Sequence, residues 1–352
     1  MNINDNVLYN EILEEPIVLN KILQEYIDNK SPALEEAVGL LRKSPLIIFT
    51  GMATSMYACM PAQCILSEGG IQSHLWDTSE FLHYHIDMVP KNATFILVSQ
   101  SGESAEIVHL LESIHNRWPV IGIYNNPNST LAKMSTIGIP ILAGPQLACG
   151  SKTNTATIAV MNILVEALLN HDLTKPRNEI QKAIGTLNNI FKEWETSFPP
   201  YIDFFRDSTY SVFVGRGPGL ASAMFSAVLF REVPKVVAEG MAAATFRHGL
   251  REMITPEHRL IIFAPKGKTT HYLYNLATDM AALDIPVLIF TNQTNKLSDL
   301  KKCLVFQSEE MDEFYSPLVD ITPPQLIGVK LAIQRGLEPG KLIISNYITQ
   351  VE

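Results

Sequence analysis

Short, wholly apolar runs alternate with helix-length amphipathic stretches along most of the chain. The runs occupy residues 46–51 (LIIFTG), 94–99 (TFILVS), 119–125 (PVIGIYN) and, more briefly, 139–142 (IPIL). Runs without polar alternation are typical of strands buried on both faces of a parallel sheet, and the segments between them are long enough for crossover helices. The same order returns at 211–215 (SVFVG), 260–264 (LIIFA) and 286–292 (PVLIFTN). Gly51 and Gly215 are 164 positions apart and Gly102 and Gly267 are 165 apart; Pro119 and Pro286, like Asn125 and Asn292, are 167 apart. So steady a displacement predicts an internal duplication of an α/β unit, with a period far longer than that of a solenoid repeat. Each half is expected to be a three-layer sandwich with a mainly parallel sheet and right-handed crossovers.

Outside the repeat, Ile12, Val18, Ile22 and Ile27 have the loose helical spacing of an arm over 6–30, and a further helix is predicted over 32–43. Polar residues 186–189 and the Phe-Pro-Pro at 198–200 are read as bracketing a helix that links the halves. A helix over 324–335 precedes Gly336, a Pro-Gly turn and an extended tail. The expected organisation is an arm plus first domain over 1–190, a second domain over 191–340 and a tail over 341–352.

Composition narrows the class. With 47% hydrophobic and 18% charged residues in a chain of 352, disorder and coiled coils are poor readings. A net charge of −9 speaks against a nucleic-acid partner. No apolar run approaches the roughly 20 residues that span a bilayer, and the start (MNINDNV) shows no signal-peptide pattern. Cys59, Cys64, Cys149 and Cys303 contain no C-x-x-C, so the expectation is a reduced, cytoplasmic protein without a zinc cluster. His83 and His85 lie two apart with no evident third ligand, and no metal or organic cofactor is expected.

Ligands of open α/β sheets bind beyond the carboxyl ends of the strands. There the first half is rich in hydroxyls: Thr54 and Ser55 follow the first strand, Ser99, Gln100, Ser101 and Ser104 follow the second, and Ser151 lies in the turn Gly150-Ser151-Lys152-Thr153. Hydroxyls and free amides at helix N-termini suit a phosphate monoester. Serine and threonine in such places also serve as plain helix caps. The second half instead offers Arg231-Glu232, stopped by Pro234, and then Arg247-His248-Gly249. Glu232 and His248 could form an acid/base pair, although on spacing alone such residues serve equally as surface groups.

With these residues in view, the chain resembles the sugar isomerase (SIS) domain family in its tandem form, as in the isomerase half of glucosamine-6-phosphate synthases and in the related phosphosugar deglycases. The resemblance rests on Ser99–Ser104, Gly51–Ser55, Ser79-Glu80-Phe81, Ala143-Gly-Pro145, Gly215-Arg-Gly217, Arg231-Glu232, Arg247-His248-Gly249 and Val351-Glu352. It implies that Thr54, Ser55, Ser99, Gln100, Ser101, Ser104 and Ser151 bind a sugar phosphate. It further implies that Glu232 moves a proton between C1 and C2 and that His248 helps open the sugar ring, reaching in from a neighbouring subunit of a homodimer. The departures are informative. Tyr347 stands at the tail position of the synthases' Schiff-base lysine, with Lys341 the nearest tail lysine, and Leu229 replaces another synthase lysine. An amine nucleophile cannot be replaced by leucine or a phenol in imine chemistry. No glutaminase segment precedes the first copy, so the full glutamine-dependent reaction is not expected.

A substrate carrying its own C1 amine needs no enzyme lysine. The expected function is therefore that of a phosphosugar isomerase/deglycase acting on an amine-linked hexose 6-phosphate. An aldose–ketose or amino-sugar phosphate isomerase is the alternative, and a non-catalytic sugar-phosphate sensor is the third reading.

Overall fold

Six of the seven predicted apolar runs form strands along most of their length, whereas the run at 139–142 contributes only its first two residues to a strand that begins at Ile137. The computed structural model describes residues 2–170, 172–293, 297–344, 346, 348 and 349. Contacts divide the chain into two compact units that alternate along the sequence: residues 17–146, 152–180 and 343–352 in one, and 1–16, 147–151 and 181–342 in the other. Each unit holds one five-stranded sheet in which every strand pair is parallel.

The first sheet is built from β1 (Ile47–Gly51), β2 (Ser73–Asp77), β3 (Thr94–Ser99), β4 (Val120–Tyr124) and β5 (Ile137–Pro140), in the order β2-β1-β3-β4-β5. The second comprises β6 (Ser211–Gly215), β7 (Ala238–Ala242), β8 (Arg259–Phe263), β9 (Val287–Thr291) and β10 (Cys303–Gln307), in the order β10-β9-β8-β6-β7. Read from the other edge, the second order repeats the first strand for strand. The duplication is thus a property of the fold as well as of the sequence. Both sheets are flanked by helices, giving two α/β sandwiches of one design.

The cores explain the apolar runs. Ile48, Phe95 and Leu97 of the first sheet pack with Ile107, Leu110, Leu111 and Ile114 from one face of the helix Ala105–Ile114. Val212, Val214, Leu260, Ile262, Val287 and Ile289 of the second pack with Leu273, Leu276, Ala277 and Met280 of the helix Thr270–Ala282. β2, β7 and β10 escape sequence detection for a shared reason. They are the edge or outer strands, none is fully buried, and β2 (SHLWD) and β7 (AEGMA) mix polar and small residues with apolar ones.

Elsewhere the structure departs from simple periodicity. The arm is not one helix: Val7–Leu13, Glu15–Leu23 and a π-helical turn Gln24–Asp28 succeed one another. Pro16 falls in the first turn of the second of these, where its missing N–H is harmless, whereas a continuous helix through it would lose a hydrogen bond. Residues 186–189 do not interrupt the chain but lie inside the long helix Thr174–Ser197. Ala183, Leu187, Ile190 and Trp194 are buried along one face of it, with Asn188 and Asn189 exposed opposite. That buried stripe outweighs the poor helix propensity of the two asparagines. The last helix, Thr322–Gln334, starts with Pro323 and Pro324 in its first turn.

Candidate functional site

The hydroxyl-rich loops sit at the carboxyl ends of β1 and β3. After β1 the chain turns tightly enough that a Cβ on Gly51 would lie 2.9 Å from the Met56 amide nitrogen and 3.1 Å from the Val98 carbonyl oxygen. Ala53 then takes φ 45° and ψ −117° before the short helix Thr54–Tyr57. The corresponding residue of the second copy has almost the same geometry, φ 52° and ψ −128°, but is Gly217. The first copy thus holds an alanine in backbone space that favours glycine, at the position that presents Thr54 and Ser55. Strain of this kind persists where the surroundings enforce it, and it collects at functional sites. Thr54 and Ser55 are half-buried, and neither hydroxyl bonds another described residue.

In the loop after β3, the Ser99 and Ser101 hydroxyl oxygens accept hydrogen bonds from the amides of Gly102 and Glu103, at 3.1 and 3.2 Å. Both serines therefore do local work, as the capping alternative allows. A hydroxyl that accepts from an amide still has its O–H to donate, which suits an anion placed above the loop. Ser104 precedes the helix Ala105–Ile114 without a side-chain cap. The loop is held from outside by Glu103, whose carboxylate accepts from the amide and hydroxyl of Thr130 at 2.7 and 2.9 Å. At the head of the same helix, the Ala105 amide donates to the Thr349 carbonyl of the tail at 3.0 Å.

The third turn belongs to the other unit as far as Ser151, which is fully buried and whose hydroxyl has no hydrogen-bond partner among the described residues. The turn is tethered by Glu11, whose carboxylate accepts from the Leu147 amide at 2.6 Å.

Glu232 closes the fifteen-residue helix Pro218–Glu232, and Pro234 prevents its continuation. Burial pushes the Glu232 carboxyl above the usual carboxylate range, while the Lys235 and Arg231 cations pull it back. Cys149 senses the same carboxylate: burial drives its thiol up first, and the charges of Glu232 and Glu11 add to that. The residues around Cys149 and the end of the Glu232 helix therefore share one electrostatic environment. His248 caps the five-residue helix Ala243–Arg247 and is exposed, its amide bonded to the Thr245 carbonyl at 2.9 Å. Within this unit no hydrogen bond or ion pair joins His248 to Glu232. The neighbouring Arg247 pairs with Asp279 at 3.0 Å.

The remaining candidates are placed as follows. Lys341 turns its ammonium to Glu338 at 2.9 Å, and Tyr347 lies outside the described residues. Lys152 is buried at the start of the helix Lys152–Asn170. His83 lies in the helix Thr78–Tyr84, and His85 stacks on Trp76 with ring centroids 4.1 Å apart. Sequence reasoning did not single out Glu11 or Lys235. Both act through space on residues remote in sequence or behind a proline turn, and no spacing rule reports that.

Comparison with known proteins agrees with this architecture. The SIS domain family matches residues 40–170 and again 205–335. The glutamine–fructose-6-phosphate aminotransferase [isomerizing] of Staphylococcus epidermidis is 27% identical over 350 residues, covering 96% of this chain and 57% of the relative. That of Thermococcus kodakarensis is 23% identical over 94% of this chain and 56% of its own length. The chain thus spans little more than half the length of these relatives. Among solved structures, the C-terminal domain of glucosamine-fructose-6-phosphate aminotransferase from Francisella tularensis superposes with a TM-score of 0.86 at 21% identity, covering 96% of this chain and 98% of that one. Tagatose-6-phosphate ketose/aldose isomerase from Escherichia coli gives 0.79 at 18%, covering 97% of both chains. Glucosamine-6-phosphate deaminase from Thermotoga maritima gives 0.77 at 16%, covering 98% of this chain and 99% of that one. The chain belongs to the SIS domain family and carries the domain twice.

Proposed function

We propose that the protein is a phosphosugar isomerase/deglycase whose substrate is a hexose 6-phosphate already linked to an amine at C1. The observation that carries the reading is Glu232: a helix-terminal carboxyl, raised by burial and only partly offset by two cations, in a chain built from two SIS domains. A base for carbon acids works best when its pKa lies near the working pH, and partial desolvation moves a carboxyl that way. Thr54, Ser55, Ser99, Gln100, Ser101, Ser104 and Ser151 would bind the phosphate and sugar, and His248 would assist ring opening. The names of the relatives, which act on fructose 6-phosphate, tagatose 6-phosphate and glucosamine 6-phosphate, support a sugar-phosphate substrate.

In the proposed reaction the substrate is a 1-amino-1-deoxy-ketose 6-phosphate. Glu232 takes a proton from C1, and the electron pair moves through C2 to its carbonyl oxygen, which is protonated to give an enaminol. Returning the proton to C2 while the amine nitrogen gives up its N–H proton to solvent, which balances the proton gained by the C2 oxygen, leaves a C1=N double bond. Water adds to C1 and the amine departs, so the products are an aldose 6-phosphate and a free amine. No enzyme lysine is consumed, in keeping with Leu229 and Tyr347 where the synthases use lysine. A homodimer in the cytoplasm, with His248 completing its partner's site, belongs to the same proposal.

The test is release of glucose 6-phosphate from a panel of phosphorylated sugar–amino acid adducts, read by a coupled dehydrogenase. Glu232→Gln should slow release by roughly a hundredfold or more while sugar-phosphate binding persists. Interconversion of aldose and ketose phosphates without adduct cleavage would replace the deglycase reading by a plain isomerase. Binding with no turnover of any of these compounds would leave a sensor.

A further inference from the structure

The turn after Glu232 contains a lysine in an unusual conformation. Pro234 stops the helix, and Lys235 follows with φ 55°, in left-handed space that costs a non-glycine residue free energy. The turn brings the Val236 amide back to the Phe230 carbonyl at 3.1 Å and lets the Lys235 side chain fold over the helix end. Its ammonium donates to the Glu232 carbonyl and, at 3.0 Å, to the carbonyl of Lys341. The last carbonyls of a helix have no partner within it, and a cation there is favoured by both hydrogen bonding and the helix dipole.

We infer that Lys235 is a positioning residue of the Glu232 site: it ties the end of the Glu232 helix to the chain entering the C-terminal tail and sets a positive charge beside the carboxylate. This rests on the reading of Glu232 as the base. The groups facing that carboxylate are Arg231 on its own helix, Lys235 beyond Pro234, and the Cys149 thiol from residues 147–151, with Glu11 acting on the same thiol. Of the two cations Lys235 acts more strongly, and Arg231 is exposed, with one guanidinium nitrogen 3.4 Å from the Ala238 carbonyl.

The arrangement gives the carboxylate two opposed influences. Burial alone favours a protonated acid that cannot take a proton from carbon, and a fully solvated carboxylate is a weak base. An ammonium fixed by two carbonyls holds the group between these limits. Held by two backbone carbonyls, Lys235 serves here by place and charge. It supplies a cation near Glu232 from a different sequence position than the lysine replaced by Leu229, which is why alignment of motifs does not reveal it.

The experiment is a carbon-13 NMR titration of the Glu232 carboxyl in the full chain, assigned by its loss in Glu232→Gln. In Lys235→Met the midpoint should move to higher pH. Lys235→Gln keeps hydrogen-bond donors without charge and should shift it in the same direction. Lys235→Arg should restore most of the original value. Unchanged midpoints in Lys235→Met and Lys235→Gln, with native amide spectra, overturn the inference, as does failure of the arginine variant to restore them. In parallel, the acid limb of the turnover profile should move with the midpoint. A midpoint that moves while the profile stays put would uphold the place of Lys235 and remove Glu232 from the role of base.

Discussion

The Glu11 carboxylate accepts a hydrogen bond from the Leu147 amide at 2.6 Å, joining the helix Val7–Leu13 to a segment 136 positions later in the sequence. Glu11 is itself buried. The same helix is anchored at its start by Asn6, whose side-chain oxygen caps it through the Tyr9 amide at 3.0 Å and whose side-chain nitrogen donates to the Pro339 carbonyl at 3.0 Å. The N-terminal helix is therefore a bracket that fixes both the turn leading to Cys149 and Ser151 and the chain leading to the tail.

Replacing Glu11 should loosen that bracket. Glu11→Ala removes the bond to the Leu147 amide and, since Leu147 is exposed to water, is expected to cost about 1 kcal/mol, seen as a lower thermal midpoint. Glu11→Gln retains an acceptor oxygen and should lose much less. Equal losses for both would mean that the charge of Glu11, rather than its hydrogen bond, secures the turn.

Much of this was legible in the sequence, and the reasons are specific. The strands of the duplicated core announced themselves because burial on both faces demands unbroken apolar runs, and the constant offsets followed from duplicated topology. β2, β7 and β10 were not legible, since an edge strand such as Ala238–Ala242 is not fully buried and needs no such run. At the candidate site, Ser99–Ser104 stood out because hydroxyls and a glycine cluster at a strand end. Lys235 and Glu11 did not, because their roles come from a proline-driven turn and from a contact between distant segments.

Ser101 offers a direct test of the phosphate loop. Its hydroxyl accepts from the Glu103 amide, so its proton is free to be donated outward. Ser101→Ala should weaken binding of a hexose 6-phosphate by about 1–3 kcal/mol, the usual range for a hydrogen bond to a charged group. Calorimetric titration reads this directly. An unchanged affinity would assign Ser101 to loop structure alone.

Asp320 predicts a pH dependence of stability. It is buried at the end of the short helix Pro317–Asp320, with one carboxyl oxygen unpaired among the described residues. Burial pushes its carboxyl up to about 7 from 3.8, against a smaller opposing effect of the Ser316 hydrogen bond. The folded state therefore holds the proton more tightly than the unfolded chain. The corresponding stability is fully present below the unfolded value and disappears as pH rises through about 7. The loss is on the order of a few kcal/mol, and it should flatten in Asp320→Asn. A wild-type thermal midpoint that does not fall over this interval would show that the carboxyl ionises without cost.

Sharing of the site between subunits can be decided by mixing two inactive variants. Glu232→Gln removes the proposed proton carrier and should lower turnover roughly a hundred- to ten-thousand-fold, the usual contribution of a general base. His248→Ala removes the exposed histidine that the proposal assigns to the neighbouring subunit's site. If each site draws Glu232 from one chain and His248 from the other, a hybrid dimer contains one site lacking both groups and one with both intact. After dissociation and random reassociation, half the dimers are hybrids, so activity should recover to about a quarter of the wild-type value. If both groups come from one chain, every site lacks one of them and mixing restores nothing. The exposure of His248 and the lack of any bond to Glu232 within its own unit are what a donated residue requires. Recovery on mixing would thus locate the second half of the acid/base pair, and its absence would place His248 outside the chemistry of its partner.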